Sequence, residues 1–473
     1  MIPAPKSFAL RAPHTFRPLI LLLFLLTCVG PACARGNQAA GNTLQAESAE
    51  ASDTARQVRD EFLHAWNAYK QFAWGHDELT PLSKGSHDWY GVSLYMTPVD
   101  ALDTLILMGL TDEAAKTREL IAQNLSFDKD IEVKNFEITI RLLGGLLSSY
   151  QLSGDQRLLA LADDLGKRLL PAFDSPTGMP YMFVNLKTGK VRGAVSNPAE
   201  IGTLLIEFGA LAKLTGKPIY YEKAKRAVVE LYHRRSSIGL VGSTINVETG
   251  EWIDTTSHIS GGIDSYYEYL LKSWLLFDDK DCEQMWRTTI VAVNKYLVDD
   301  SPTGFWYGQV DMNTGKRLTS EFGALDAFFP AVLARSGDMA RAQRLEDSAF
   351  KMWMTFGIEP ETMDYSTMKA TSPGYPLRPE IIESAYYLQF FTGDPRYRAM
   401  GHMFLDGLKR YCRTDLAYAA LSNVETKEKA DGMESFFLAE TLKYLYLLFA
   451  PPETLDLRKS VFNTEAHPIR RTW

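Results

Sequence analysis

The sequence predicts an all-α protein, an (α/α)7 barrel with short β-hairpins at the barrel ends. Seven mostly apolar helical segments recur along the 473-residue chain, with an acid near the start of each and 34 to 64 residues between successive acids. Amphipathic segments of helical period lie between them, and no Pro- or Gly-rich linker divides the chain. Because apolar helices must be buried, seven inner helices surrounded by seven amphipathic ones close into a barrel.

The N-terminal region resembles an export signal rather than part of the fold. Lys6, Arg11 and Arg17 precede an apolar run over 19–29, and Ala-Cys-Ala follows at 32–34. The apolar run is too short to span a bilayer, which takes about 20 residues. We therefore predict a secretory signal peptide over 1–34, with lipidation of Cys33 as the alternative. A flexible leader over 35–53 and a single catalytic domain over 54–473 complete the predicted organisation.

The inner segments share an acid close to their N-terminal ends. An acid in the first turn of a helix can be no more than a favourable partner for the helix dipole. Seven inner helices of one closed barrel, however, direct these ends toward one mouth, so a convergent acidic site is the favoured interpretation. The acids are Asp103, Glu137, Glu200, Asp264, Asp326, Glu380 and Glu434.

The outer helices and the hairpins are predicted from their period and their turn residues. Amphipathic helices are expected over 155–170, 219–233 and 394–411. Alternating strands over 182–185 and 244–247 each meet a Gly-containing turn, at 188–190 and 248–250, which is typical of a hairpin.

Composition excludes several classes of protein. Hydrophobic residues make up 46% and charged residues 23% of the chain, so bulk disorder is excluded. The net charge of −8 argues against a nucleic-acid surface, which needs a basic face. Aromatic residues reach 12%, which suits a carbohydrate site. Beyond the signal, only Cys282 and Cys412 remain; they either pair or stay as buried thiols, and buried thiols are favoured.

Motif searching leaves carboxylate chemistry. The chain has no GxxxxGK[ST], HExxH, CxxC or GxSxG motif, and its eight His show no ligand pair at i, i+3 or i, i+4. Glycoside hydrolysis, by contrast, needs one protonated and one ionised carboxyl, and crowded acids can supply the protonated one. Glu137 and Arg141 lie one turn apart on a segment rich in apolar residues, so the pair is expected to face a cavity.

Collinear motifs then identify a family. Over 62–468 the chain resembles glycoside hydrolase family 47, the class I α-1,2-mannosidases, and within it the degradation-enhancing mannosidase-like branch. The family's own fold is an (α/α)7 barrel. The motifs that carry the resemblance lie at 73–79, 100–105, 136–141, 264–272, 377–380, 383–384, 433–438 and 461–468.

The resemblance implies an exo-acting, inverting α-1,2-mannosidase that depends on Ca²⁺ and acts on mannosides or high-mannose glycans. By position, Glu137 corresponds to the acid that protonates the leaving oxygen through a water, and Asp264 to a second candidate acid. Glu380 corresponds to the base, Glu361 to a further carboxylate of the site, and Thr464 to the Ca²⁺ ligand. Positions lining the innermost sugar subsite or the metal's water shell are matched by Arg141, Glu200, Arg378, Glu383 and Glu434.

Two departures from the family pattern concern specificity and activity. Gly262 stands where the endoplasmic-reticulum enzyme carries an arginine that narrows its specificity, and 323–328 lacks the His and Cys of related enzymes. The branch also contains weak enzymes and proteins once regarded as lectins. A non-hydrolysing, mannose-glycan-binding protein is therefore the alternative, although all three catalytic carboxylates are present. The expected partner is a glycan, with no nucleic acid and no membrane span, and the expected state is a monomer.

Overall fold

The structure is a computed structural model that describes the backbone of residues 32–473 and the side chains of 49–473. The predicted signal peptide lies outside these residues except for 32–34. Residues Glu50–Trp473 form the compact body described below. The α-helices are α1 Ala32–Phe72, α2 Met96–Leu107, α3 Thr111–Asn124, α4 Asn135–Ile138, α5 Gly144–Ser153, α6 Gln156–Leu169, α7 Pro198–Gly202, α8 Leu205–Thr215, α9 Ile219–His233, α10 Asp264–Phe277, α11 Lys280–Tyr296, α12 Phe329–Ser336, α13 Met339–Phe356, α14 Glu380–Thr392, α15 Arg396–Gly407 and α16 Leu442–Phe449.

The segment 35–53, predicted as a flexible leader, lies within the bounds of helix α1, which begins at Ala32. Its sequence is rich in Ala, Gln and Glu, which are strong helix formers, and these residues continue directly into the amphipathic part of α1. Gly, Ser and Asn are interspersed among them, and these residues are the basis of the predicted leader.

Seven inner helices form a closed ring, which confirms the predicted barrel. Helices α2, α5, α8, α10, α12, α14 and α16 contact one another in this order, and the π-helical turn Phe437–Thr441 before α16 returns to α2. Six outer helices, α3, α6, α9, α11, α13 and α15, each pack on the inner helix that precedes them. Helix α1 is the seventh, and its Trp66 Nε1 donates a hydrogen bond to Glu113 on α3 at 3.0 Å.

The two sets of helices differ in burial as their sequences predict. Eight consecutive residues of α8, from Leu205 to Ala212, are buried, as expected for a helix enclosed on all sides. In α6 the buried residues recur every three or four positions, from Leu158 to Leu169, so only one face is covered. The outer helices therefore shield the apolar inner ring from water.

Short antiparallel strands connect the helices at the barrel ends and form sheets of two or three strands. Both predicted hairpins are present, as β4 with β5 and as β7 with β8. Several strands lead into inner helices and so help to position their N-termini. β3 leads into α4, which continues through the π-helical turn Thr139–Leu143 into α5, and β6 leads into α7, which directly precedes α8. The turns α4 and α7 are thus the starts of the inner helices α5 and α8. The strands are β1 Glu78–Thr80, β2 Gly85–His87, β3 Glu132–Lys134, β4 Phe183–Asn185, β5 Val191–Arg192, β6 Val195–Ser196, β7 Thr244–Asn246, β8 Trp252–Asp254, β9 Thr256–Ser257, β10 Val298–Ser301, β11 Gly304–Tyr307, β12 Gln309–Asp311, β13 Arg317–Thr319, β14 Glu321–Gly323, β15 Thr362–Asp364, β16 Lys369–Ser372, β17 Leu421–Asn423, β18 Glu428–Lys429, β19 Ser460–Phe462 and β20 Pro468–Arg470.

The structure also bears on cysteine pairing and membrane spans. Cys282 and Cys412 are both buried free thiols, so the favoured alternative is confirmed. No helix within 32–473 combines the length and the apolar character needed to cross a bilayer.

Candidate active site

A cavity of about 300 Å³ lies where several inner helices begin. Its walls come from the starts of α4, α7, α10 and α14, from the turn before α16, and from the loop between β19 and β20. Most of its polar groups are carboxylates. The side chains that define its chemistry are Lys134, Glu137, Arg141, Glu200, Asp264, Glu268, Phe328, Arg378, Glu380, Glu383, Phe436, Glu440, Thr464 and Glu465.

Most of the site residues predicted from the sequence meet in this cavity. Those that line it are Glu137, Arg141, Glu200, Asp264, Arg378, Glu380, Glu383 and Thr464. Glu361 and Glu434 do not line it. Glu361 instead accepts two hydrogen bonds from the guanidinium of Arg378, one of them from Nε at 3.1 Å, and so contacts the cavity through that arginine. Glu434 lies beside Glu78, where burial and then the charge of Glu434 raise the pKa of Glu78 to about 9.

Three of the seven helix-start acids do not line the cavity. Glu434 is one; the others are Asp103 and Asp326. Asp103 is the eighth residue of α2, below the mouth, and is fully buried in an ion cluster. Asp326 accepts a hydrogen bond from the backbone N–H of Gly323 at 2.9 Å, so it caps its own turn.

Glu137 is held by two cations. Arg141 Nε donates to Glu137 Oε2 at 3.1 Å, and Lys134 Nζ lies 3.5 Å from Oε1. The predicted pairing of Glu137 with Arg141 at a cavity wall is therefore observed. Arg141 also donates to Glu465 at 2.8 Å, and its guanidinium lies against the ring of Phe436. These contacts with Arg141 and Lys134 hold the Glu137 carboxylate against the cavity wall.

Asp264 and Glu380 have a different environment. Asp264 begins α10, and its Oδ1 accepts from the backbone N–H and the hydroxyl of Ser265, at 2.6 and 3.0 Å. Burial raises the pKa of Asp264 to about 6 in spite of these bonds. Burial likewise raises the pKa of Glu380 to about 8, although the Arg378 charge opposes it. Its Oε2 is shielded from solvent and has no hydrogen-bond partner within the described residues. Two carboxyls whose pKa values are raised to different extents therefore share the cavity.

The helical geometry of the walls is irregular where charged residues enter the cavity. Arg141 lies in a π-helical turn, Thr139–Leu143, and Glu440 lies in the π-helical turn Phe437–Thr441. Such turns insert one residue into a helix and occur frequently at functional sites. Here they re-aim one side chain of each helix, so a strict 3.6-residue period does not identify these positions.

Sequence reasoning missed several lining residues. Glu268 follows Asp264 by one helical turn on α10, so an i, i+4 search from Asp264 would have found it. It is ion-paired with Lys272 on the same helix. Glu465 directly follows Thr464, and only its contact with Arg141 reveals its place. Lys134 and Glu440 had no comparable signal.

The cavity suits a hard cation. Thr464 and several carboxylates supply only oxygen atoms, which is the donor set that Ca²⁺ prefers. Eight carboxylates and three cationic side chains line the cavity, and Oε2 of Glu200 and of Glu380 have no hydrogen-bond partner in the described chain. Within residues 32–473, however, no three acidic, histidine or cysteine side chains cluster tightly enough to hold a metal unaided. A bound Ca²⁺ would therefore rely on Thr464, water and substrate oxygens.

Comparison with known proteins places this geometry among glycosidases. The model of the family described as "Glycosyl hydrolase family 47" matches residues 61–471. "Alpha-mannosidase I MNS5" of Arabidopsis thaliana is 38% identical over 444 residues, covering 87% of this chain and 76% of that protein. Human "ER degradation-enhancing alpha-mannosidase-like protein 2" is 37% identical, with 87% and 76% covered. The solved "alpha-1,2-mannosidase from Trichoderma reesei" superposes with a TM-score of 0.82 at 29% identity, covering 89% of this chain and 99% of that one.

Proposed function

Since the chain belongs to glycosyl hydrolase family 47 and is a glycoside hydrolase, we propose that it is an inverting α-1,2-mannosidase. In this proposal it removes terminal mannose from mannosides or high-mannose glycans. One observation carries the proposal: Glu137, Asp264 and Glu380, from the starts of three inner helices, line one cavity. Hydrolysis with inversion needs an acid and a base on opposite sides of the scissile bond, with a water beside the base.

Glu380 is the proposed base. Burial raises the pKa of Glu380 to about 8, and the charge of Arg378, two residues before it, limits that rise. The ionised form is the one that can take a proton from water. Glu137 is the proposed acid, acting through a water, and Asp264 is the second candidate. Burial gives Asp264 a pKa of about 6, so it retains a proton near neutral pH more readily than an ordinary Asp. Substitution of each carboxyl, with pH profiles, discriminates between the two.

An exo mode of action is supported by the deep end of the cavity. Thr464 and Glu465 line it there, and their neighbours Asn463 and Ala466 are fully buried in the core. Asn463 Nδ2 donates to the carbonyl of Ile140 at 2.8 Å, which ties this loop to the helix that carries Glu137. A cavity closed by such a loop accommodates the end of a glycan chain rather than its middle.

Calcium dependence belongs to the same proposal. Thr464 would hold the ion through its hydroxyl and backbone oxygens, with carboxylates such as Glu383 and Glu440 ordering the surrounding waters. Bound there, Ca²⁺ would supply Lewis-acid coordination to sugar hydroxyls. The chain's own residues orient the sugar: Phe436 and Phe328 provide apolar walls, and Arg141 and Arg378 position carboxylates beside them.

Broad specificity is proposed from Gly262. A Cβ at this position would meet only atoms of Asn197, at 3.8 Å, so the cavity wall is open here. The backbone φ of +91° disfavours any side chain at this residue. We therefore expect the enzyme to remove several α-1,2-linked mannoses from one high-mannose glycan. Digestion of a nine-mannose N-glycan, followed by mass spectrometry, tests this: a single eight-mannose isomer that persists would contradict it.

The proposed enzyme is an exported monomer. Export is proposed from the basic and apolar pattern of 1–34. It is also supported by the similarity to a human protein whose name refers to ER degradation. N-terminal sequencing of exported protein would begin at Arg35 if the predicted cleavage is right. Light scattering in solution tests the oligomeric state.

Incubation with an α-1,2-linked mannobiose tests the activity itself. We expect release of mannose by the wild type and none by Glu380→Gln. Binding of the disaccharide without any release by the wild type would instead favour the glycan-binding alternative. The intact set of three carboxylates supports hydrolysis.

A further inference from the structure

Lys134 is a cavity residue to which the family roles above assign nothing. It is the last residue of β3, where it pairs with Phe183 of β4, and it immediately precedes α4. Its backbone N–H donates to the hydroxyl of Tyr90 at 3.2 Å, so its main chain is anchored on two sides. The Lys134 side chain is 31% exposed, against 8% for Arg141, and thus reaches the cavity from nearer the solvent.

The ammonium group of Lys134 bridges carboxylates from two different inner helices. Its Nζ lies 2.7 Å from Glu200 Oε1 on α7 and 3.5 Å from Glu137 Oε1 on α4. Burial opposes a charge on Lys134, yet the two carboxylates outweigh it and raise the pKa of Lys134. The amine therefore stays cationic while it holds both partners.

Glu200 depends on this bridge. Its Oε2 is buried without a hydrogen-bond partner in the described chain, and burial raises the pKa of Glu200 to about 7 against the charge of Lys134. Asn197 Oδ1, which accepts from the backbone N–H of Glu200, caps α7 but does not reach the carboxylate's charge. Without Lys134, the like charge of Glu137 would act on Glu200 without the ammonium group that now offsets it.

We propose that Lys134 is a positioning residue that holds Glu137 and Glu200 at a fixed separation. This inference rests on the proposed function, because it takes Glu137 as the acid. The ammonium group attracts both carboxylates and so holds them on either side of it. The same contact keeps the Glu137 carboxyl aimed at the leaving oxygen.

Other charges also act on Glu137 and must be held constant in the test. Arg141 lies one turn beyond Glu137 on the same helix, with its Nε 3.1 Å from Glu137 Oε2. Tyr90 lies in the loop after β2, Glu200 on α7, and Glu465 in the loop between β19 and β20. The ionisable groups that face it are Lys134, Arg141, Tyr90, Glu200 and Glu465. Changing Lys134 alone leaves the rest of this set in place.

The experiment compares Lys134→Met, Lys134→Gln and Lys134→Arg with wild type on an α-1,2-mannobiose between pH 4 and 9. For Met and Gln we expect kcat to fall about tenfold with little change in KM. Arg should restore kcat, because it keeps the charge that holds both carboxylates. Lys187→Met, at an exposed lysine of the adjacent hairpin, is the matched control and should behave as wild type.

Two results would overturn the inference. One is a kcat that stays at the wild-type value in the Met and Gln variants. The other is an Arg variant as impaired as Met, which would indicate a role of shape alone. Circular dichroism checks that the variants are folded. Lys134 is partly exposed, so a polar side chain is tolerated there, and Gln provides a second neutral variant should Met not fold. An inactive wild type would contradict the proposed function instead, so the two failures are distinguishable.

Discussion

Two regions of the barrel contain acids on inner helices, and they handle charge in opposite ways. Below the cavity, Asp100, Asp103, Lys443 and His467 form a fully buried cluster with equal numbers of acidic and basic groups. His467 contacts Asp103 at 2.7 Å and Asp100 at 3.2 Å, and Lys443 lies 2.7 Å from Asp103. In the cavity, eight carboxylates face three cations.

The contrast separates structural charges from reactive ones. In the cluster, burial would raise the pKa of Asp103, but Lys443 and His467 outweigh it and lower that pKa. In the cavity, burial prevails and raises the pKa of Asp264 to about 6 and of Glu380 to about 8. Acids without sufficient partners must take up a proton or a cation, which is what acid–base chemistry and metal binding require.

Removal of calcium should have the largest effect on the cavity, where carboxylates outnumber cationic side chains. If the excess of carboxylates holds Ca²⁺ with Thr464, EDTA should abolish hydrolysis and added Ca²⁺ should restore it, because the sugar loses its coordination. Calcium binding can be followed separately by calorimetry on the wild type and on Thr464→Val. Full activity in a chelated, metal-free sample would contradict this prediction.

Amide substitution of the reacting carboxyls should have the next largest effect. Glu137→Gln, Asp264→Asn and Glu380→Gln each remove one proton-transfer group, and kcat should fall by about 10²–10⁴-fold. The fold should be retained, since none of the three belongs to the balanced cluster. Glu222→Gln, at an exposed position of α9, serves as the control. A Glu380→Gln variant with near-normal kcat would refute the assignment of the base.

A substitution in the buried cluster should lower the stability of the protein rather than its catalytic rate. Lys443→Met leaves Asp103 with one cation fewer in a site without solvent, and the free energy of unfolding should fall by about 3–5 kcal/mol. Urea denaturation measures it. The exposed pair of Arg157 with Glu119 is the matched control, because solvent screens this contact and Glu119→Gln should leave the free energy of unfolding nearly unchanged. Equal losses in both variants would remove the distinction between the regions.

His467 gives the cluster a pH dependence. Burial would lower the pKa of His467, but Asp103 and Asp100 outweigh it and raise it to about 9. The unfolded value is about 6.5, so the folded chain binds this proton more tightly. The resulting stabilisation, about 3 kcal/mol, is complete below pH 6.5 and is lost as pH rises toward 9. The stability advantage of wild type over His467→Gln should therefore narrow across this interval; a constant difference would contradict it.

The sequence predicts the barrel better than it predicts which acids meet. Helical period and the repeat of acid-led segments suffice for the ring, because burial of apolar helices is decided by local pattern. The placement of Asp103 was wrong since its partner Lys443 lies 340 positions away and no local pattern reveals the pair. Glu465 joins Arg141 across 324 positions, and Glu440 enters the cavity through a π-helical turn. Long-range pairing and irregular helix geometry therefore limit prediction of the site.

The anomer released from an α-linked substrate tests the central claim most directly. If Glu380 activates water on the face opposite the acid, ¹H NMR in the first minutes of α-1,2-mannobiose hydrolysis should show β-mannose before mutarotation. Appearance of α-mannose first would mean retention of configuration, and the assignment of Glu380 as a base would fail.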